Sequence, residues 1–257
     1  MGRRGKLGVN DALFFVELNQ KKRICLYMIS PIPSQRNPLC IGHRGAAGHA
    51  PENTLAALDL GVRLGADLIE FDVRRSSDGA LVLVHDDTVD RTTNGQGNVE
   101  SLPLSVLRGL DAGGGEGIPL LVEALACLNG RAGAMIELKV AGIAAEVCAV
   151  VKAAHFQGPV IYASFFHGDL LRVRNLHPDA CALALLEDAP VDPTAFAINA
   201  HATHAGLALD SVTPANVQAL QEQAIKVFVF TVDEPDDIDR MKRLGVDGII
   251  SNFPERI

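Results

Sequence analysis

Residues 67–86 read "DLIEFDVRRSSDGALVLVHD", two branched apolar runs that both end in acidic or imidazole groups. Each run has the composition of a strand. The link between them is too short for the helical crossover that joins parallel neighbours, and Asp78-Gly79 is a turn signal. An extended return without a helix is therefore predicted here. Glu70 and Asp72 stand two apart, so a strand directs both carboxylates to one face. A strand this apolar belongs to a sheet covered on both faces, where polar groups at the C-terminal end need a reason.

The rest of the chain alternates in the same way. Strands are predicted at 39–43, 67–73, 80–86, 134–140, 159–165, 181–187, 205–210, 226–232 and 247–251, with helical periods at 53–65, 119–128, 143–154, 213–224 and 235–244. Thr54, Thr213-Pro214 and Pro235 are helix-start signals, and Gly65, Gly130 and Gly245 are stops. Alternating strands and helices predict an α/β fold, a closed (β/α)8 TIM barrel over residues 39–257. The nine runs exceed the eight strands of such a barrel, and either 181–187 or 205–210 is expected to lie outside it. Residues 86–117 form a polar, glycine-rich insertion of the kind that carries function at a barrel mouth.

Four early strands end in chemistry: His43 and Arg44, Glu70 and Asp72, His85 and Asp86, Glu137 and Lys139. Glu70, Asp72 and Glu137 converging at one mouth would repel unless a hard divalent cation, Mg²⁺ or Ca²⁺, took their oxygens. A zinc site would instead favour His or Cys ligands, which frees His43 and His85 for general base and acid work. Arg44 and Lys139 supply positive charge for an anionic reacting group, and a phosphoryl centre is the natural electrophile. Taken singly, an E-x-D strand or an HRG loop is usually bland; their recurrence at successive strand ends carries the reading. His201 and His204 lack carboxylate or cysteine partners and are expected at a solvated helix end or loop, while His49 is expected at the surface. The glycine-rich 93–97, "TNGQG", reads as a turn.

The chain has 257 residues, 48% of them apolar, and a net charge of −8 with its cations scattered, in runs of no more than three. That composition supports a large core and excludes a basic stripe for nucleic acid or an anionic membrane. A small-molecule partner is expected, with no nucleic acid and no stable membrane association; a homodimer is left open. The five cysteines, Cys25, Cys40, Cys127, Cys148 and Cys181, are odd in number and far apart, which fits reduced thiols and a cytoplasmic location. Residues 1–38 are read as a poorly tied extension, with Met28 as an alternative start. The run "KKRICLYMIS" at 21–30 meets Pro31 and Pro33 without a cleavage signal, so no signal peptide is expected.

"GHRG" (42–45), "PENT" (51–54), "ADLIEFDVRRSSDGALVLVHDDTVDRTTNGQG" (66–97), "IELK" (136–139) and "FTVDEPDDIDRMKRLGVDGIISNFP" (230–254) together resemble the glycerophosphodiester phosphodiesterase family, in its compact bacterial form. The resemblance implies a barrel related to that of phosphatidylinositol phospholipase C. It also implies metal-dependent hydrolysis of glycerophosphodiesters, such as glycerophosphocholine or glycerophosphoethanolamine, to sn-glycerol 3-phosphate and an alcohol. Under it His43 and His85 match the catalytic acid/base pair, and Glu70, Asp72 and Glu137 match the metal ligands. Arg44 and Lys139 match phosphate-facing cations, Phe230 an apolar substrate wall, and Glu52 a supporting carboxylate expected to orient Arg44 or the metal shell. The expected course is attack by the glycerol 2-hydroxyl, a cyclic phosphate, and opening by water with the histidine roles reversed.

The chain departs from the family pattern at Leu120 and Val122, at Phe230 where relatives commonly carry Trp, and at Ser251-Asn252, which drops one negative charge. These changes point to altered substrate preference. The competing readings are a related lyase or phospholipase D-like activity on choline-bearing lipids, and a non-catalytic phosphodiester-binding barrel. The first needs an apolar docking surface, and with 10 Phe, 2 Tyr and no Trp the sequence shows no exposed aromatic loop. Retention of both histidines and all three carboxylates argues against the second.

Overall fold

The computed structural model describes residues 37–188 and 191–257. The predicted extension, apart from Asn37 and Pro38, lies outside the described residues. The strands are β1 (Leu39–Gly42), β2 (Leu68–Arg75), β3 (Leu81–Leu83), β4 (Gly133–Leu138), β5 (Val160–Ser164), β6 (Cys181–Leu186), β7 (His204–Ala208), β8 (Lys226–Phe230) and β9 (Gly248–Ser251). Parallel pairing runs β1-β9-β8-β7-β6-β5-β4-β2, and β2 returns to β1, so eight strands close a barrel. The extra strand is β3, paired antiparallel to the upper half of β2 with Val73 opposite Leu83 and Arg75 opposite Leu81. Neither of the two runs from which the outlying strand was expected, 181–187 and 205–210, lies outside: they are barrel strands β6 and β7. Each has parallel neighbours on both sides, whereas among the described residues β3 has a hairpin partner and a single bridge to Leu120. The hairpin is the helix-free return that the spacing predicts.

Helices follow the strands: α1 (Leu55–Arg63), α2 (Leu104–Leu107), α3 (Leu121–Leu128), α4 (Ala144–Ala153), α5 (His167–Leu176), α6 (Ala195–Asn199), α7 (Pro214–Glu222) and α8 (Pro235–Leu244). Thr54 caps α1 by accepting the Ala57 N–H, Thr213 caps α7 with Asn216 in reply, and Gly245 ends α8 at φ 72°. At α3 the departure at Leu120 removes a side-chain cap, and Glu123 accepts the Leu120 N–H instead. Among the described residues no helix is long and apolar enough to cross a membrane. Cys127, Cys148 and Cys181 are unpaired thiols.

The core divides by strand parity. Ile69, Phe71, Val73, Ile136, Leu138, Ala205 and Leu207 face outward into the helices, while Leu39, Ile41, Leu68, Met135, Ile161, Ala163, Phe228 and Ile250 fill the barrel. Two residues further along the inward faces come His43, Glu70, Glu137, Phe165, Phe230 and Asn252. Apolar packing closes the bottom of the barrel, and the same face turns polar at the top. His204 belongs to the lower layer: it is 3% exposed, opens β7, and meets the Phe228 ring edge-on at 5.0 Å. Its expected solvated position is thus corrected, because strand pairing with β6 and β8 draws residue 204 inward. His201 alone of that pair is exposed.

Candidate active site

At the C-terminal mouth, Glu70, Asp72 and Glu137 each offer an oxygen within 4.8 Å of the others. β2 supplies the first two from one face, and β4 places Glu137 directly beside Asp72. Glu70 Oε1 and Asp72 Oδ1 are buried without a hydrogen-bond partner. Such orphaned anionic oxygens are costly unless a cation compensates them. Burial, then Asp72 and Glu137, push the Glu70 carboxyl well above its ordinary range. Burial and Asp72 likewise raise Glu137, to about 7. The donor set, all oxygen and negative, fits one hard divalent cation.

Other groups hold this cluster in shape. Asn53 grips Asp72 at both ends of its amide, giving Nδ2–H to Asp72 Oδ2 at 2.8 Å and accepting the Asp72 N–H at 3.0 Å. Glu70 Oε2 accepts the Arg44 backbone N–H at 2.8 Å, which ties the β1–α1 turn to β2. Lys139 lies 2.8 Å from Glu137 Oε1 and 3.7 Å from Asp72 Oδ1. Arg44 Nε stands 3.3 Å from Asp72 Oδ2 without hydrogen-bond geometry, and its Nη1 donates to Glu52 Oε1 at 2.7 Å. Burial opposes the charge on Glu52, but the guanidinium groups of Arg91 and Arg44 hold its carboxyl down at about 2.

The two histidines reach this cluster by different routes. His43 follows β1, and its backbone N–H bonds Ser251 O at 2.8 Å. Its Nε2 lies 4.0 Å from Glu70 Oε2, while Nδ1 meets Asn252 Oδ1 at 2.8 Å. Asn252 is held by Asp233, which accepts both its backbone and its amide N–H. Burial and the Arg44 charge push His43 down to about 4. His85 arrives through the hairpin: β3 runs back along β2, Val84 N–H bonds Asp72 O at 3.2 Å, and Arg74 Nε–H bonds His85 O at 2.9 Å. An antiparallel return is what brings Val84 level with Asp72 and carries His85 just past it. His85 Nδ1 meets Asp86 Oδ1 at 2.6 Å, and Arg91, then His85, draw the Asp86 carboxyl below its usual range.

Opposite the charges stands an aromatic wall. Phe230 meets Phe165 edge-to-face at 6.0 Å, and Lys139 Nζ lies 5.7 Å over the Phe165 ring. Phe165 and Phe166 are 38% and 45% exposed, so an exposed aromatic pair does exist at the mouth. Composition concealed it because ten phenylalanines are unremarkable until two adjacent ones follow a strand end. Parity along β5 (Ile161, Ala163, Phe165) was the signal for Phe165, and the "PENT" asparagine was the one for Asn53. Asp86, Arg91, Asp233 and Asn252 lie in the family-like motifs, but nothing in the sequence indicates which residues they meet.

The glycerophosphoryl diester phosphodiesterase family model matches residues 43–256. A glycerophosphodiester phosphodiesterase of Caldanaerobacter subterraneus subsp. tengcongensis is 36% identical over 232 residues, covering 85% of this chain and 96% of its own length. One from Bacillus altitudinis is 33% identical, covering 83% and 94%. Among solved structures, an Oleispira antarctica phosphodiesterase in complex with the product sn-glycerol-3-phosphate superposes with a TM-score of 0.80 at 29% identity, covering 86% of this chain and 95% of that one. A glycerophosphodiester phosphodiesterase from Agrobacterium tumefaciens gives 0.74 at 33% identity, covering 84% and 96%.

Proposed function

The chain belongs to the glycerophosphoryl diester phosphodiesterase family and hydrolyses glycerophosphodiesters, and from that premise we propose how its residues divide the reaction. The observation that carries the proposal is the cluster of Glu70, Asp72 and Glu137 with two orphaned oxygens, set beside two separately oriented histidines. Glu70, Asp72 and Glu137 would hold one divalent cation, Mg²⁺ or Ca²⁺. Such an ion would supply positive charge to phosphoryl oxygens and acidify a hydroxyl brought against it.

The remaining work falls to the chain's own groups. Arg44 and Lys139 face the phosphodiester anion, and the Phe165–Phe230 wall shields the reacting centre from water. His43, with its Nδ1 proton on Asn252, keeps Nε2 unprotonated toward the carboxylates. A neighbouring cation would push its already depressed pKa further the same way, so His43 serves as base toward the glycerol 2-hydroxyl. His85, more exposed and fixed through Nδ1 on Asp86, protonates the departing alcohol from Nε2. A cyclic phosphate results, and water opens it with the two roles exchanged.

The substrates proposed are small glycerophosphodiesters such as glycerophosphocholine and glycerophosphoethanolamine, giving sn-glycerol 3-phosphate. The product held by the Oleispira relative supports this. We assign residues 39–257 to one catalytic domain containing the 86–117 insertion, and the unpaired thiols support a cytoplasmic site of action. The test is glycerol 3-phosphate release from glycerophosphocholine with and without chelator, in wild type, His43→Ala and His85→Ala. Release should stop with chelator and fall at least about 100-fold in each variant. Release that ignores chelator, or survives both substitutions, removes the reading. A substrate with hydrogen in place of the 2-hydroxyl separates internal attack, which it blocks, from direct attack by water.

A further inference from the structure

The 86–117 insertion presents one side chain whose place the reaction above leaves unexplained. Arg91 makes four hydrogen bonds, all to two carboxylates. Its Nη1 and Nη2 fork onto Glu52 Oε2 and Oε1, both at 2.8 Å, and its Nε and Nη2 fork onto Asp86 Oδ2 and Oδ1 at 2.7 and 3.0 Å. Glu52 Oε1 also accepts from Arg44, and Asp86 Oδ1 also meets His85 Nδ1. One guanidinium therefore joins the series His85, Asp86, Arg91, Glu52, Arg44.

The backbone around Arg91 is built to hold it. Val89 is fully buried among Val82, Val84, Val99 and Leu107. Its N–H bonds Gly97 O at 3.0 Å, Thr88 bridges Asn98, and Asp90 Oδ1 accepts the Gly97 N–H at 2.8 Å. Arg91 itself is 49% exposed at its side chain. Solvent screens a guanidinium that exposed, although Glu52 and Asp86 are more covered, and such ion pairs add little to folding, so stability alone gives little reason for a double fork. Four of the five N–H donors of a guanidinium are committed to carboxylates here, which leaves Arg91 poorly placed to bind the phosphodiester itself.

We propose that Arg91 is a positioning residue that locks His85, through Asp86, and Arg44, through Glu52, into one arrangement at the barrel mouth. It rests on the roles given above to His85 and Arg44. Both histidine orientation and the phosphate-facing cation then depend on a side chain that touches neither substrate nor metal. The insertion is thereby explained as the arm that carries the clamp. A lysine cannot replace it, since a single ammonium does not form two parallel forks.

The experiment compares Arg91→Ala, Arg91→Lys, His85→Ala and Arg63→Ala with wild type on glycerophosphocholine at saturating divalent cation. Arg63 is exposed, paired to Asp59 on α1, and serves as the control. For Arg91→Ala, kcat should fall about 30-fold with KM changed less than about threefold. Arg91→Lys should be equally impaired, and millimolar guanidinium should restore Arg91→Ala by at least about fivefold while leaving Arg63→Ala unchanged. If Arg91→Ala does not melt cooperatively, Arg91→Gln is read instead. A kcat near wild type, a loss confined to KM, recovery in Arg91→Lys, or no response to guanidinium each overturns the proposal. Full activity in His85→Ala would sink the underlying assignment of roles, whereas an inactive His85→Ala beside a normal Arg91→Ala removes the clamp alone.

Discussion

His43 and His85 are one residue type in two settings, and their Nδ1 partners make the difference. His43 leans on the neutral amide of Asn252, His85 on the carboxylate of Asp86. Asn252→Asp would give His43 a charged acceptor and set a second carboxylate against Asp233, which now receives the Asn252 amide proton at 2.7 Å. Both changes favour imidazolium, so the pKa of His43 rises from about 4. A base acts in its neutral form, and activity is lost below its pKa. The acid limb of kcat/KM against pH should therefore move to higher pH, by about one unit; an unmoved limb would show that His43 is not the base. His49, although it sits in the same motif, pairs with Glu255 at 2.8 Å where both are substantially exposed. His49→Ala should leave kcat/KM within about twofold and stability within about 1 kcal/mol of wild type, measured by turnover and urea melting. The nine candidate site residues stand out in the sequence because each continues an inward strand face or sits in a neighbouring turn of a recognisable motif. Their supporting partners were not, since Asn53–Asp72 and Asn252–His43 join residues far apart in the chain, and only closure of the barrel creates them.

At the scale of elements, the β1–α1 turn shows why the "HRG" motif needs its glycine. Gly45 sits at φ 90°, and a Cβ there would lie 2.4 Å from the Ala57 carbonyl carbon and 2.5 Å from its oxygen, within α1. Neither contact can be relieved by turning a side chain. Gly45→Ala should cost at least about 3 kcal/mol through positive-φ strain and the displaced helix. It should also cut activity at least about tenfold, because Arg44 and Glu52 flank the segment that must move. Urea denaturation and turnover check the two effects separately, and loss of stability with full activity would mean that the turn does not position Arg44. The barrel itself was legible through alternation and caps. The misassigned strand has a physical cause: β3 is as apolar as a barrel strand because it too is buried, between β2 and the cluster of Val89, Val99 and Leu107. Burial composition reports a covered strand, not which sheet edge covers it. Only the shortness of the 73–80 link distinguished it, by excluding a parallel neighbour of β2.

For the whole molecule, the cluster of Glu70, Asp72 and Glu137 sets function against stability. Glu70 and Glu137 have raised pKa values in the fold, Glu137 reaching about 7, while burial depresses His43 to about 4 and His204 to about 3. A raised carboxyl keeps a proton that the unfolded chain has released, so stability falls as pH climbs from 4.5 through the folded value. A depressed histidine has the opposite effect, but only up to 6.5, where the unfolded chain loses its own proton. Below 6.5 the two oppose each other; above it the carboxylates act alone. Metal-free protein should therefore melt lower at pH 8 than at pH 6.5, by on the order of 5 °C. Millimolar Mg²⁺ or Ca²⁺ should abolish the fall, stabilising more at the higher pH because the cation takes the place of the protons. Glu137→Gln separates cause from coincidence. Without cation at pH 8 the variant should be more stable than wild type, having one fewer anion beside Asp72, yet it should respond less to added cation. If it proves less stable there, the 2.8 Å contact with Lys139 outweighs the repulsion, and Glu137 is held in place by its cation partner rather than strained by its neighbours.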